Sequence, residues 1–460
     1  MITARAFAGK HYAVYGLARS GLATVEALLA SGARVTAWDG KEGARAVLKS
    51  SSSLLGEVAA AARLTEGPLH HPADGPPPPD KLGEDLIIAD LDTADLTQFD
   101  SLVVTPGLPL NRHPIAQRAR DAGLEIIGDI ELFARARPEL PPHKVVGITG
   151  TNGKSTTTAL IHHILKTAGV PSEMGGNIGL PILAQDPLPE GGVYVLELSS
   201  YQLDLTQSLD CDVAVLLNVT PDHLDRYENL EAYAMSKARI FNMQTPGHVA
   251  LVSRRAEKGF RVLRRALYLD LIWIDGISLG PQSSFPNLQG SHNLQNAQAA
   301  YQASLMVGGV GIPNAIKGLR TFPGLSHRME RIRTRNGVRF VNDSKATNPT
   351  ATAPALAAYE RIRWICGGQA KTDNLDECAP FFGHVRKAYT IGEAGELFAS
   401  LLSPHMAVAQ CQTLERAVGE AAAEAERGDT ILLSPACASF DQFRDFEQRG
   451  DEFRRLVEGL

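Results

Sequence analysis

Short apolar runs without helical spacing alternate along the chain with longer segments in which apolar residues recur every three or four positions. At residues 145–148 the run VVGI is followed, after a polar loop, by a segment with helical spacing that ends at Gly169. The N-terminal part repeats the pattern, since YAVYG leads into LARSGLATVEALLASG and then into RVTAWD. This alternation predicts parallel strands joined by helices, which is a doubly wound α/β fold.

Strand-like runs in the last third of the chain each end in a polar loop. The segments RFVNDSKATNP, IRWICGGQAKTDN and DTILLSPACASFDQF all change from apolar to polar residues where a strand would end. Ligands of doubly wound folds gather at the carboxyl ends of the strands. These loops are therefore candidate binding segments.

The chain has 460 residues, which is too long for one hydrophobic core and corresponds to about three domains of roughly 100 to 200 residues. We predict three α/β domains: a Rossmann-like N-terminal domain over 1–142, a central doubly wound domain of the P-loop ATPase type over 143–330, and a Rossmann-like C-terminal domain over 331–460. The stretch at 67–81 is rich in proline, and we expect it to be a mobile insertion that does not pack in a core.

The loop after the VVGI run can hold a nucleotide phosphate. Gly150 and Gly153 let backbone N–H groups approach an anion, and the N-terminus of the following helix adds partial positive charge. Lys154 can reach the outer phosphates, and Ser155 can ligate Mg²⁺. Ile148 replaces the first glycine of the P-loop motif, so the prediction depends on the position of the loop between a strand and a helix.

A glycine turn follows the first predicted strand. Gly16, Ala18 and Gly21 resemble the dinucleotide fingerprint G-x-G-x-x-G, with alanine in place of the middle glycine. Asp39 ends the next strand about 20 residues further on, where an acidic residue would meet a ribose or base. A surface aspartate at a strand end is the alternative interpretation.

Composition argues against nucleic-acid-binding and membrane-spanning proteins. The formal net charge of −6 provides no broad basic surface for nucleic acid. No apolar run approaches the roughly 20 residues of a membrane span, and the N-terminus lacks a signal-peptide pattern. The five cysteines are scattered without C-x-x-C spacing, which argues against a disulfide framework or a zinc site. We expect a cytoplasmic monomer with reduced cysteines in its core.

Polar positions after the central strands could complete a metal site with Ser155. Glu197 ends the apolar run in VYVLELSS, and a carboxylate there is an expected Mg²⁺ ligand. His223 follows the next strand, beside Asp222. A buried or capping glutamate and a structural histidine are the alternatives. Lys237 in YAMSKARIF is an ordinary helical lysine by its local sequence.

The order and approximate spacing of several segments resemble the Mur ligases: GITGTNGKST, GGNIGLP, LELSSYQL, NVTPDHLDRY, GSHNLQNAQAA, SHRME, NDSKATNP and SPACASFDQF. The resemblance covers nearly the whole chain, although residues 243–289 match poorly and the proline-rich insertion is longer than expected. SPACASFDQFRDFEQRGDEF is similar to the D-glutamate-adding branch. The resemblance implies an ATP-dependent amide ligase that adds D-glutamate to UDP-N-acetylmuramoyl-L-alanine through an acyl phosphate, in cytoplasmic peptidoglycan precursor synthesis.

The resemblance also implies which residues bind ATP and Mg²⁺. The ATP phosphates would be held by Gly150, Thr151, Asn152, Gly153, Lys154, Ser155 and Thr156. The adenine, phosphates and ribose would be contacted by Asn293, Asn296, Arg328 and Asp343. The Mg²⁺ ligands would be Ser155, Glu197, His223 and Lys237, the last as a carbamate. The catalytic residues would be Lys154, Glu197, His223 and Lys237.

The two remaining substrates would have separate binding residues by the same resemblance. The uridine diphosphate end would be held by Leu17, Ala18 and Asp39, with Asn177 at the phosphates or the muramoyl group. D-glutamate would be held by Lys345, Thr347, Lys371, Ser439, Phe440 and Phe446.

Three other functions stay open at this point. One is another Mur-type or folylpolyglutamate-type amide ligase. The second is a nucleotide-dependent regulatory or binding protein, which would not need His223 and Lys237 beside the metal. The third is a dinucleotide-dependent oxidoreductase, which Gly16 and Gly21 suggest but for which no hydride-transfer site is evident.

Overall fold

The computed structural model describes residues 1–48, 85–222, 226–256 and 271–460. The predicted insertion at 67–81 and the candidate ligand His223 lie outside these described residues. Among the described residues, no helix is both long and apolar enough to cross a membrane.

The chain forms two compact units. Unit 1 comprises Met1–Ser278 and Gln295–Gly318, and unit 2 comprises Leu279–Leu294 and Leu319–Leu460. The predicted domain boundaries at 142 and 330 stay a prediction.

The first sheet of unit 1 is parallel throughout its described strands. These are β1 (His11–Tyr15), β2 (Arg34–Trp38), β3 (Leu86–Ile88), β4 (Ser101–Val104) and β5 (Ile126–Ile127). Their order is β3-β2-β1-β4-β5. From β1 the chain continues to β2 on one side, whereas β4 pairs with β1 on the other side. The loops after β1 and β4 are therefore adjacent and lead in opposite directions, and doubly wound folds bind ligands between such loops.

The second sheet of unit 1 is also parallel and carries the phosphate loop. Its described strands are β6 (His143–Thr149), β7 (Ser172–Gly176), β8 (Gly192–Glu197), β9 (Val213–Leu216), β10 (Val249–Val252) and β11 (Leu271–Trp273). The order is β11-β10-β9-β6-β8-β7, so β6 lies between β8 and β9. The ends of β6, β8 and β9 therefore lie at one edge, with the loops that hold the candidate residues.

Helices cover the two sheets of unit 1: α1 (Arg19–Ala30), α2 (Pro114–Asp121), α3 (Asp129–Ala136), α4 (Lys154–Thr167), α5 (Ser200–Asp204) and α6 (Leu230–Asn242). Two further helices follow β11 in the sequence, α7 (Ser291–Val307) and α8 (Ile312–Thr321). The N-terminus of α6 is fixed by Asn229, whose side chain accepts from the N–H of Ala232 at 2.8 Å. Buried side chains such as Phe133, Tyr194 and Leu216 form the apolar core.

Unit 2 contains the third sheet. Its described strands are β12 (Glu330–Arg335), β13 (Val338–Asn342), β14 (Ile362–Gly367), β15 (Val385–Ile391), β16 (Ala407–Gln412) and β17 (Thr430–Leu433), in the order β12-β13-β17-β14-β15-β16. The edge pair β12 and β13 is antiparallel, and the other pairs are parallel. Its helices are α9 (Pro349–Ala358), α10 (Gly395–Leu402), α11 (Leu414–Glu424) and α12 (Phe446–Gly459).

The three sheets confirm the predicted α/β class. All five cysteines carry free thiols and are buried, which agrees with the prediction of reduced core residues. Burial raises the pKa of the Cys211 thiol in unit 1 to about 12. These cysteines are therefore part of the packing and do not form a reactive site.

Candidate functional site

The phosphate loop connects β6 to α4, as the sequence predicts. Gly150 has φ 152° and Gly153, the N-cap of α4, has φ 87°, a region that favours glycine. A Cβ atom at Gly153 would collide with the side chain of Asn296, another predicted nucleotide contact. Ser155 is buried at the start of α4, and Thr156 is half-buried. The loop therefore presents backbone N–H groups at the positive end of a fourteen-residue helix.

Asn218, which follows β9, holds the tip of the phosphate loop. Its side chain accepts from the Asn152 N–H at 2.8 Å and donates to the Asn152 carbonyl at 2.9 Å. Its own carbonyl accepts from the N–H of Thr151 at 3.0 Å. Asn218 was not among the residues predicted from the sequence, although its position as the first polar residue after a strand is a signal for such a role.

Two lysines meet at one carbonyl oxygen of the loop. Lys154 donates to the carbonyls of Gly150 and Thr151 at 2.8 and 2.9 Å, and Lys237 donates to Gly150 at 3.0 Å. Only 1% of Lys237 is exposed, so it is not the ordinary helix-surface lysine that its local sequence suggests. Burial holds the pKa of Lys237 well below its usual range, and the positive charge of Lys154 lowers that pKa further.

Tyr233, one helical turn before Lys237 on α6, lines the same space. Its ring centroid lies 4.4 Å from the Lys237 Nζ, and its hydroxyl lies 3.4 Å from the Thr151 Oγ1. Tyr233 was not among the residues predicted from the sequence, although its spacing of four residues from Lys237 places both on one helix face.

Glu197 and Asn177 form a pair at the ends of β8 and β7. The Asn177 side chain donates to the Glu197 Oε1 at 3.0 Å, and the Asn177 N–H donates to the Glu197 carbonyl at 2.9 Å. Gly176 has φ 86°, and a Cβ atom there would collide with that carbonyl. The pairing fixes the carboxylate, so Asn177 orients Glu197 in addition to any contact with substrate.

The Glu197 Oε2 is buried and has no hydrogen-bond partner among the described residues. A buried carboxylate oxygen without a donor is costly unless a cation or another group meets it. No cluster of three His, Cys, Asp or Glu side chains suited to a metal occurs in the described part of the chain, and His223 lies outside it. The free oxygen therefore fits a cation ligand, and the complete ligand set stays a prediction.

The N-terminal glycine turn is closed by Asp39. Its carboxylate accepts from the N–H groups of Leu17 and Lys41, both at 2.8 Å. A Cβ atom at Gly16 would collide with Thr105, and one at Gly21 with the Gly16 carbonyl.

Ala18 lies exposed at the tip of this turn with φ −71°. Glycine is therefore required at the first and last fingerprint positions, and alanine fits the middle one. One Asp39 oxygen accepts from the turn at Leu17 and the other from the N–H of Lys41, so Asp39 shapes the turn in addition to any role with a ligand.

Asp343 is a buried carboxyl at the end of β13 in unit 2. It accepts from the Met329 N–H at 3.0 Å and the Ser434 hydroxyl at 2.8 Å. Burial raises the pKa of Asp343 to about 7, although the nearby charge of Arg328 opposes the shift. Asn293, also predicted to bind the nucleotide, is buried and donates to the Gln289 carbonyl at 3.1 Å.

The predicted D-glutamate residues lie in the loops after β13, β14 and β17 and at the start of α12. The Lys345 Nζ lies 5.0 Å from the centroid of the Phe446 ring, and the Thr347 N–H donates to the Lys345 carbonyl at 2.9 Å. Ser439 is buried, whereas 68% of Phe440 is exposed. Lys371 is exposed, and no hydrogen bond joins its side chain to the described residues of this set.

Arg449, which was not predicted from the sequence, connects two of these loops by hydrogen bonds. Its buried guanidinium donates to the Ser344 carbonyl at 2.9 Å and to the Cys437 carbonyl at 3.0 Å. These contacts join positions 105 and 12 residues away in the chain, so local sequence gives no signal for them.

Comparison with known families identifies two matching domains. The model of the Mur ligase middle domain matches residues 148–268, and that of the Mur ligase, glutamate ligase domain, matches residues 327–437. The first match covers the phosphate loop, Glu197 and Lys237, and the second covers Asp343, Lys345 and Lys371.

Full-length relatives share about half of their residues with this chain. UDP-N-acetylmuramoylalanine–D-glutamate ligases are 55% identical in Novosphingobium aromaticivorans and 53% identical in Sphingopyxis alaskensis. Both alignments cover 100% of this chain, with 97% and 100% of the respective relative. The Zymomonas mobilis ligase of the same name is 50% identical, again over 100% of both chains.

Solved structures share the fold at low sequence identity. The UDP-N-acetylmuramate–alanine ligase of Thermotoga maritima superposes with a TM-score of 0.55 and 16% identity over 98% of this chain and 99% of its own. The MurF ligase of the same organism, in complex with ADP, gives 0.56 and 16% over 83% and 91%. At these identities the likeness concerns the fold alone.

Proposed function

This chain belongs to the Mur ligase family, and we propose that it joins D-glutamate to UDP-N-acetylmuramoyl-L-alanine with consumption of ATP, in peptidoglycan synthesis. The observation that carries this proposal is the 50–55% identity, over the whole chain, with ligases named for that reaction. The phosphate loop supports the use of ATP, because Gly150 and Gly153 expose backbone N–H groups at a helix N-terminus.

The chemistry requires activation of a carboxylate. A carboxylate is a poor acyl donor, since oxide would have to leave. Transfer of the γ-phosphoryl group to a carboxylate oxygen of the L-alanyl end releases ADP and forms an acyl phosphate. The amine of D-glutamate then attacks the carbonyl carbon, loses a proton and displaces inorganic phosphate. One amide bond is formed for each ATP converted to ADP and phosphate.

Lys154 is the residue we assign to the phosphates. In the structure its ammonium is bonded to the Gly150 and Thr151 carbonyls of its own loop. Binding of a nucleotide would replace these acceptors by phosphate oxygens, which form stronger charge-assisted hydrogen bonds. Asn218 keeps the loop in shape during this exchange, because it holds Asn152 through both backbone groups.

We assign Mg²⁺ binding to Ser155, Glu197, His223 and a carbamate on Lys237. The buried Glu197 Oε2 without a donor is the feature that fits a cation. Bound Mg²⁺ would neutralise charge on the phosphates and on the substrate carboxylate. Asn177 donates to the other Glu197 oxygen and thereby fixes the orientation of the carboxylate.

Carbamylation is proposed for Lys237 because its amine is buried and shares an acceptor with a second lysine. The carboxylates of Asp222 and Asp204 favour the charged amine, but burial and the positive charge of Lys154 outweigh them and lower the pKa of Lys237. A carbamate would replace the positive charge of Lys237 by a negative one, which favours a neighbouring cation.

The remaining assignments concern the other ligands. Leu17, Ala18 and Asp39 form the turn we assign to the uridine diphosphate end. D-glutamate is assigned to the loops of unit 2 with Lys345, Thr347, Lys371, Ser439, Phe440 and Phe446. We further propose that the protein acts as a monomer in the cytoplasm.

Phosphate release with isotopically labelled substrate tests the proposed function. UDP-N-acetylmuramoyl-L-alanine carrying ¹⁸O in its terminal carboxylate is incubated with ATP, Mg²⁺ and D-glutamate, and the released phosphate is analysed by mass spectrometry. We expect one ¹⁸O atom in each phosphate, with release dependent on both substrates. Release of unlabelled phosphate, or equal release without D-glutamate, would reject the proposed reaction.

A further inference from the structure

A buried chain of hydroxyl groups in unit 2 connects a carboxylate to a backbone N–H group on a different loop. The Ser434 Oγ lies 2.8 Å from the Asp343 Oδ2 and 3.1 Å from the Thr352 Oγ1. The Thr352 Oγ1 in turn accepts from the N–H of Ala436 at 3.1 Å. We call Thr352, Ser434 and Asp343 the hydroxyl relay. Thr352 and Ser434 have no exposed surface, and Asp343 has 6%.

Each hydroxyl of the relay has one proton, which fixes the direction of the bonds when Asp343 is ionised. The Ser434 proton goes to the Asp343 Oδ2, because an ionised carboxylate can only accept. Thr352 therefore donates its own proton to the Ser434 Oγ and uses a lone pair to accept from Ala436. In this arrangement every hydroxyl donates once and accepts once, and the relay leaves no proton unpaired.

The acceptor that Thr352 offers matters because the backbone at Ala436 is strained. Ala436 has φ 56°, a left-handed conformation that residues other than glycine adopt at a cost. Such a conformation persists only when neighbouring contacts determine it. Thr352 provides the contact at the N–H of Ala436 itself, and Gly367 donates to the Pro435 carbonyl at 2.9 Å on the preceding residue.

The chain segment that follows Ala436 is the one assigned to D-glutamate. Ser439 is three residues beyond Ala436, and the carbonyls of Cys437 and Ala438 accept from Arg449. A rotation at Ala436 would therefore displace the Ser439 hydroxyl and the exposed Phe440 relative to the sheet. Thr352 itself is on α9 and is not in the predicted binding set.

We propose that Thr352 is a positioning residue for D-glutamate: through the Ala436 N–H it sets the conformation of the segment from Ala436 to Phe440, and through Ser434 it links that segment to Asp343. The inference rests on the proposed function and deepens it, since Asp343 is assigned to the nucleotide and Ser439 to the amino acid. The hydroxyl relay therefore bonds to both binding segments of unit 2, at Asp343 and at Ala436.

Steady-state kinetics of Thr352→Val test this role. Valine has nearly the shape of threonine but leaves the N–H of Ala436 without an acceptor. We expect the KM for D-glutamate to rise about tenfold, the effect of one lost buried hydrogen bond, with the KM for UDP-N-acetylmuramoyl-L-alanine changed less than about twofold. Thr352→Ser keeps the hydroxyl and should restore the KM for D-glutamate to within about twofold of the parent.

Thr390→Val is the matched control. Thr390 lies on β15, is equally buried, and its hydroxyl has no hydrogen-bond partner among the described residues. This variant should keep all KM values of the parent. If Thr352→Val lowers kcat at unchanged KM for D-glutamate, or if Thr352→Ser is no better than Thr352→Val, the positioning role is wrong.

Ser434→Ala keeps the inference testable if Thr352→Val does not fold. It removes the link to Asp343 but leaves Thr352 free to accept from Ala436, so the KM for ATP should rise more than the KM for D-glutamate. The opposite order would overturn the relay.

The activity of the unsubstituted parent chain shows whether a negative result concerns the proposed function or only Thr352. A parent without D-glutamate-dependent phosphate release contradicts the proposed function. An active parent whose KM for D-glutamate is indifferent to Thr352→Val contradicts only the role of Thr352.

Discussion

Lys154 and Lys237 donate to the same acceptor, the carbonyl oxygen of Gly150, over 2.8 and 3.0 Å. Two ammonium groups at one oxygen repel each other, and the repulsion is weakly screened because Lys237 is buried. The charge of Lys154 accordingly lowers the pKa of Lys237, after burial as the larger cause. A lower pKa increases the share of neutral amine, which is the form that can react with CO₂.

Lys237→Arg should be nearly as damaging as Lys237→Ala. Arginine keeps a positive charge at all accessible pH values and cannot carry a carbamate. We expect each variant to lower kcat/KM about a hundredfold or more, the usual size of a lost electrostatic contact at the reacting group. A carbonyl resonance from protein equilibrated with ¹³CO₂ should be absent in both variants. Lys166→Arg, at an exposed position of α4, is the control and should retain activity. Full activity of Lys237→Arg would rule out the carbamate.

Gly176→Ala should separate the position of Glu197 from general backbone strain. Both Gly176 and Gly191 have positive φ, 86° and 79°, but only at Gly176 would a Cβ atom collide with the Glu197 carbonyl. Gly191→Ala should therefore lose a little stability and keep its activity. Gly176→Ala should lower kcat/KM about a hundredfold, because small displacements of a catalytic group have effects of this size. Equal activity of the two variants would show that the Glu197 position is not critical.

D-Alanine should be a very poor amino-acid substrate. It lacks the side-chain carboxylate that we assign to Lys371 and its neighbours, and sites built for a polar group discriminate by about 10⁴ in kcat/KM. Lys371→Ala should raise the KM for D-glutamate. The control is Lys387→Ala, since Lys387 is paired with Glu424 at 2.7 Å and is not in the binding set. Comparable rates with both amino acids would refute the assignment.

Asp343 should make unit 2 less stable as the pH rises from about 4 to about 7. Its pKa is raised from 3.8 to about 7 by burial, so the folded chain keeps a proton that the unfolded chain releases. This stabilisation is complete below pH 3.8 and is lost as the pH rises through about 7. Asp343→Asn resembles the protonated form. Relative to the parent it should therefore gain about 1 to 4 kcal/mol of unfolding free energy between about pH 4 and pH 8.

Urea titrations followed by tryptophan fluorescence measure this difference in unit 2. Trp364 is buried there, and replacing Trp38 and Trp273 by phenylalanine leaves it as the only emitter among the three tryptophans. Asp376→Asn, at an exposed aspartate, should follow the parent. The prediction fails if Asp343→Asn and the parent depend on pH in the same way.

The sequence predicts the sheets and the phosphate loop because both depend on local patterns. The run at β6, the glycines and the helical spacing of α4 are contiguous, so their geometry follows from neighbouring residues. The strong burial of Lys237 could not be predicted this way, since its helix carries no local mark of a functional lysine. The role of Asn177 as a partner of Glu197 joins two strand ends and likewise required the structure.

Contacts between distant loops explain what local patterns did not reveal. Thr352 contacts Ala436 across 84 residues, and Arg449 reaches Ser344 across 105. The ribose or base contact of Asp39 stays a prediction, and its hydrogen bonds from the N–H groups of Leu17 and Lys41 are what the folded chain adds. Side chains that support a site through the backbone of another loop have no characteristic spacing, so only the folded chain identifies them.

Because all five cysteines are buried, their reaction with a thiol reagent reports on local opening of the unit that contains them. Cys211 is the single cysteine of unit 1, and the other four are in unit 2. A thiol reagent can modify a buried cysteine only after the surrounding segment has opened, so the rate of labelling measures the frequency of opening. Mass spectrometry of labelled peptides would then follow the two units separately in one sample, without any added probe. Substrates that bind one unit more tightly than the other would slow labelling in that unit first.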